Sequence, residues 1–167
     1  MKFRKIWLAV AGTAALTLAG CGGGGGSSPA PTIPAPTIPA ASSIAGTAAT
    51  GAALANAGVA ITNSSGNSPC QEASITTTPL GSYTCTLKTG EAAPFFVVVT
   101  DPTGYTAPLV SVATSTPAAG APLTVNVTPL TTAIVSQLAN GNAMALVSSK
   151  MVDAAALKQV TTNVLAQ

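Results

Sequence analysis

The sequence has no histidine, one tryptophan, three cysteines and only 6% charged residues in 167 positions, where a typical soluble domain carries roughly 25% charged. Each shortage excludes something. Without histidine the chain has neither the commonest general base nor the commonest metal ligand. A formal net charge of +2 is too small to hold a polyanion, so no nucleic-acid partner is expected. There is no Gly-x-Ser-x-Gly elbow, no Ser-x-x-Lys pair, and no phosphate-cradling loop with its lysine. The acids Glu72, Glu91 and Asp101 stand in different turns, so they read as solvated loop charges rather than a catalytic pair. Asp101, in Asp101-Pro-Thr-Gly104, is more simply the first residue of a turn. No loop collects the several carboxylates that calcium needs. The expectation is a protein without catalytic residues, metal site or cofactor, hence not an enzyme.

What is present begins with Lys2, Arg4 and Lys5, an apolar or small run from Ile6 to Leu18, and then Leu18-Ala-Gly-Cys21. A basic start, a short apolar stretch and small residues make a secretory leader, too short for the roughly 20 residues of a bilayer span. Leu-Ala-Gly-Cys resembles the lipobox of bacterial lipoproteins. That resemblance, over residues 1–21, implies removal of a signal peptide at 1–20 and acylation of Cys21, with the membrane as partner through the acyl chains. Gly22 follows the cysteine where enteric-type sorting would place an aspartate for inner-membrane retention, which favours the cell outer membrane. An ordinary secretory leader with an incidental Cys21 is the alternative. Cleavage would leave Lys88, Lys150 and Lys158 against Glu72, Glu91, Asp101 and Asp153. No basic patch would survive it.

Residues 21–43 read as a tether. Gly22–Gly26 and Ser27-Ser28 lead into Ala-Pro-Thr-Ile-Pro, repeated at 30–34 and 35–39. Glycine and serine give a flexible coil, whereas the prolines favour an extended polyproline conformation and block helix. A proline-motif ligand for a partner's groove is the other reading.

From 44 to 128 short apolar runs alternate with turn residues. Strands are expected at Ser43–Thr47, Val59–Thr62, Ala73–Thr77, Tyr83–Leu87, Phe95–Thr100, Leu109–Ala113 and Leu123–Val127. This regular spacing predicts an all-β sandwich. The run Phe95-Phe-Val-Val-Val99 is apolar on both faces, as a central, covered strand should be.

Ile44-Ala-Gly-Thr, then Leu54-Ala-Asn-Ala-Gly-Val59-Ala-Ile61, then Gly81-Ser-Tyr83-Thr-Cys85 resemble the carboxypeptidase regulatory-like, or transthyretin-like, sandwich. That family runs from a first strand into an Ala-Gly-x-Val-x-Val strand and, after a tight turn, a Gly-x-Tyr strand. It usually has aspartate three residues before the glycine, where this chain has Thr78. The resemblance covers 44–128. It implies a mainly β, seven-stranded transthyretin/Ig-like sandwich with an accessory role and no active site of its own.

With Cys21 assigned to the anchor, Cys70 and Cys85 remain as a pair in an exported chain, and a structural disulfide is expected. Cys70 precedes the expected 73–77 strand, which would form a hairpin with Tyr83–Leu87. A redox or metal-thiolate role lacks a Cys-x-x-Cys, a histidine or a third thiol.

Residues 129–167 read as a short helical segment. Thr128-Pro129 makes an N-cap and first position, Leu130, Ile134 and Leu138 share a face, and Asn140-Gly141 is a stop. A second helix is expected over 142–150. Asp153 can cap a third, whose lack of a glycine stop before Gln167 leaves open a longer architecture. These stripes pack on the sandwich or on each other, or one docks a partner. Two functions follow: a membrane-anchored, non-catalytic envelope module for structure or binding, and an envelope assembly partner recruiting another protein through its C-terminal helices. A glycan or another envelope protein is the expected partner. The aromatic side chain for a ligand-binding patch would be Tyr83 or Tyr105.

Overall fold

Strict alternation forms the first strands, because side chains on a strand point to opposite faces in turn. In the computed structural model, which describes residues 41–166, β1 (Ser43–Thr47), β2 (Gly58–Asn63) and β4 (Ser82–Thr86) each bury every second residue at least in part. The expected leader at 1–20, Cys21 and the expected tether up to residue 40 lie outside the described residues, as does Gln167. The other strands are β3 (Ile75–Thr76), β5 (Phe95–Thr100), β6 (Leu109–Ala113) and β7 (Pro122–Thr124). They form two sheets, a three-stranded one in the order β4-β1-β7 and a four-stranded one in the order β3-β2-β5-β6. Every pairing is antiparallel except that of β1 with β7.

The two sheets share one core. Ile44, Tyr83, Cys85, Val125 and Val127 contribute from one side, and Val59, Ile61, Phe95, Val97 and Val99 from the other. The apolar run of β5 explains a second core. Phe96 and Val98 point away from the first cluster and, with Val110 and Val112 of β6, pack under helical residues Val135, Leu138, Ala143 and Leu146. Burial of side chains this size stabilises by about 2 kcal/mol each. Strand β5 is therefore covered on both faces, as its sequence requires.

The helices are α1 (Pro129–Leu138), α2 (Ala143–Ser149) and α3 (Ala154–Leu165). Thr128, Asn142 and Asp153 cap them, each side-chain oxygen accepting from backbone N–H groups of the first turn. At α1 the box is closed by threonine in place of the usual glutamate: the Thr131 hydroxyl accepts from the Thr128 N–H. Asn140 and Gly141 both take positive φ and end the helix. Helices α1 and α2 thus pack on the sheet, whereas α3 has no fully buried residue.

Two expectations need correction. The strand expected at 73–77 contracts to β3, and β3 pairs with β2 rather than with β4. The reason lies just upstream, where Cys70 bridges Leu87 and the Gln71 N–H donates to the Thr86 carbonyl. The chain follows the edge of β4 first and then crosses to the other sheet, so Cys70 and Cys85 do not flank a hairpin. The strand expected at 123–127 starts at Pro122 and ends at Thr124. Beyond it the Val125 and Val127 N–H groups still donate to Ala45 and Thr47 of β1.

Candidate binding surface

The strand directions sort the connections into two groups. The incoming residues 41–42 lie at one end with the connections 64–74, 87–94 and 114–121, here the near end. The connections 48–57, 77–81, 101–108 and 125–128 lie at the other, the far end.

The disulfide is at the near end. Cys70 and Cys85 are bonded with Cα atoms 5.3 Å apart, closing a separation of 15 residues. Their sulfurs and a Glu72 carboxylate oxygen lie within 4.8 Å of one another. With both sulfurs committed to the cross-link, Glu72 is the remaining ionisable group of that cluster. It accepts the Thr86 N–H at 2.9 and 3.1 Å. Hydrogen bonding from Thr86 holds its carboxyl below the usual range. Glu91 accepts from Asn63 Nδ2 at 2.8 Å, Lys88 donates to the Ser68 carbonyl, and Lys150 lies over Gly66. A cleft of about 580 Å³ opens here between Ala41, Ser42, Gln71, Lys88, Glu91 and Pro117.

Asp101 is at the opposite end of β5 from Glu91, so the three acids read from the sequence do not converge. Its carboxylate accepts the Thr103 N–H at 2.9 Å and the Thr103 hydroxyl at 2.6 Å on one oxygen, and the Thr106 hydroxyl on the other. Those hydrogen bonds, led by Thr103, lower its pKa. Turn geometry is thus the role that the structure gives Asp101.

The two candidate tyrosines separate completely. Tyr83 is 3% exposed, and its hydroxyl donates to the Val125 carbonyl. Burial raises its pKa well above the usual phenol range. A β-carbon at Gly46 would overlap that same carbonyl and abut the Tyr83 ring, so Gly46 and Tyr83 make one packing unit. Tyr83 therefore cannot serve a binding patch. Tyr105 can: it is 92% exposed at the tip of the far-end loop that Asp101 ties together.

Other far-end side chains are exposed as well. Leu80, which the sequence reading did not single out, is 78% exposed, and Leu130, read as part of an apolar helix face, is 48% exposed. A groove of about 570 Å³, lined by Thr50, Thr106, Pro108, Pro129, Ala133 and Ser136 among others, begins at Thr106, the residue after Tyr105. No charged residue lines it. A topological signal existed, since in alternating strands the first, third and fifth connections share one end. Pattern alone does not show which side chains there stay uncovered.

Many of the threonines serve the backbone. Thr77 is buried, accepts the Ala57 N–H and donates to the Leu54 carbonyl, which pins the long β1–β2 connection. On the outer edge of β6, Val110 N–H donates to the Thr132 hydroxyl, and its carbonyl accepts from Thr131 and Thr132. The edge of β4 is met by Glu72, Gln71 and Thr78. The edge strand β7 begins with Pro122, which has no N–H to offer. Sheet edges are natural docking and aggregation templates, and at these positions hydroxyls, a carboxylate and proline blunt them. The hydroxyl-rich composition is accordingly in part internal scaffolding.

No family model matches the chain, and no curated protein matches it either.

Proposed function

We propose that the chain is a cell-envelope lipoprotein, acylated at Cys21 and held in the outer membrane, that displays a non-catalytic binding or structural module. The module would be a sandwich of the transthyretin-like, carboxypeptidase regulatory-like kind on a Gly/Ser/Pro stalk. The observation that carries this reading is Leu18-Ala-Gly-Cys21 behind a basic and apolar leader. Two acyl chains give stable membrane attachment where one is marginal. The Cys70–Cys85 cross-link supports it, since structural disulfides persist in oxidising compartments outside the cytosol. The sandwich part is supported by two sheets sharing one core, and by Gly46 and Tyr83, residues of the resemblance, packing as one unit. The non-catalytic part is supported by the three acids, each hydrogen-bonded within its own region.

The test is metabolic labelling with a tagged fatty acid, followed by membrane fractionation. Wild-type protein should carry the label and sediment with membranes. Cys21→Ser should lose the label and appear unprocessed or soluble. Labelling and fractionation unchanged by that substitution would overturn the proposal.

A second reading, an assembly partner that recruits another envelope protein through its C-terminal helices, draws support from α3 alone. Helices α1 and α2 are committed to the sheet, but no residue of α3 is buried, and its Leu165 is exposed, as is Met151 ahead of it. Crosslinking from position 165 in the full chain would distinguish it.

A further inference from the structure

The far end calls for an account of its exposed side chains, because nothing in the fold requires a tyrosine ring to stand in water. Of the aromatic residues in the described segment, Phe95, Phe96 and Tyr83 are buried, and only Tyr105 is displayed. Its loop is not slack: the Asp101 carboxylate collects three hydrogen bonds from Thr103 and Thr106 on either side of the tyrosine. The following residue, Thr106, lines a groove with proline and alanine walls and a row of hydroxyls. The Thr50 and Ser136 hydroxyls make no hydrogen bond among the described residues, while the Thr106 oxygen, already donating to Asp101, can still accept.

The electrostatics narrow the occupant. No charged residue lines the groove, and Asp101 in the neighbouring loop already accepts three hydrogen bonds from Thr103 and Thr106. Lys88 and Lys150 are at the near end, and no lysine lines the groove. A charged ligand would lose hydration and gain no counter-charge. A wholly apolar ligand would leave the hydroxyls unpaired. The matching chemistry has flat C–H faces to lie on an aromatic ring, many hydroxyls at its rim, and no charge.

We propose that the Tyr105 surface binds a neutral glycan, the tyrosine ring stacking against one sugar face and Thr50, Thr106 and Ser136 pairing with its hydroxyls. This rests on the display-module reading and names its ligand class. A protein partner at the same surface is the competing occupant, and the test separates the two.

The test titrates the full-length, acylated chain in detergent with cellohexaose, maltohexaose and chitohexaose. An oligogalacturonate of similar length is the charged comparison, and calorimetry with ligand-observed NMR is the readout. At least one neutral hexasaccharide should bind, with saturation transfer from the tyrosine ring. Tyr105→Ala should weaken it at least about tenfold, Tyr105→Phe should stay within about twofold, and Ser136→Ala should cost about threefold. Affinity should move less than about twofold between low and high salt. Because Tyr105 is exposed, these variants should keep the wild-type far-ultraviolet spectrum and disulfide. Binding to none of the neutral sugars, tighter binding to oligogalacturonate, or affinity indifferent to Tyr105→Ala would overturn the proposal. A protein crosslinked through position 105 alongside silent sugars would give the surface to the competitor. Membrane fractionation of the same preparation is read separately, so loss of sugar binding leaves the anchoring proposal standing.

Discussion

The two ends of the domain are built by different chemistry. At the near end a covalent cross-link, a carboxylate on a strand edge and most of the described loop charges hold the connections. At the far end the same work falls to threonine hydroxyls and one aspartate, and large apolar side chains remain in solvent. A disulfide acts largely on the unfolded chain and holds as long as the surroundings are oxidising. Hydroxyl staples act only in the folded state and leave the surrounding surface uncharged. The contrast is what a module needs if one end is fastened and the other presents a face.

The largest test of that contrast is removal of the cross-link. Cys70→Ala together with Cys85→Ala should lower stability by about 3 kcal/mol in the chain-entropy account of a loop this size. Chemical denaturation should register the loss. Amide exchange should quicken across 67–88 sooner than across 101–108, and uniform acceleration at both ends would dissolve the distinction. Next comes Thr77→Val, which keeps the shape but strips the partner of the Ala57 N–H and the Leu54 carbonyl. It should cost about 2 kcal/mol, with opening concentrated in 48–57. The smallest effect is at Asp101. Because its pKa is depressed in the folded chain, ionised Asp101 favours the tied loop at neutral pH. That contribution fades as acidity rises through the folded midpoint. An NMR titration should place the Asp101 midpoint below the ordinary carboxylate value. Thr103→Val should move it upward, with Tyr105 amide exchange rising while global stability stays unchanged.

Much of this architecture is legible in the chain. Runs such as Phe95–Thr100 and Leu109–Ala113 are bounded by turn residues, and three helix caps are written as Thr128-Pro129, Asn142 and Asp153. The pairing of Cys70 with Cys85 is legible because these are the two cysteines that follow residue 21. What pattern could not supply was long-range. A two-residue strand like β3 is too short to carry a period, and its partner was decided upstream, where the Gln71 N–H donates to the Thr86 carbonyl and the Lys88 N–H to the Pro69 carbonyl. Tyr83 and Tyr105 differ in fate because one follows the Gly81 turn into a strand and the other sits on a loop. Only the packing of Gly46 against the Tyr83 ring makes the difference plain. Nor does a threonine announce whether it faces water or a backbone amide, since strand preference and hydroxyl chemistry favour it for both.

One further consequence concerns force. The described residues begin by running into β1, and β1 is the middle strand of its sheet, bonded to β4 on one side and β7 on the other. The bonds between strands lie across the strand axis. A tug on the chain at Ala41, directed along β1, therefore loads the flanking bonds together instead of opening them one at a time. Ile44 is paired with Cys85, so the strain passes into β4 and through the disulfide into the segment around Cys70. Force applied at Ala41 along β1 meets this sheet in shear rather than in peeling.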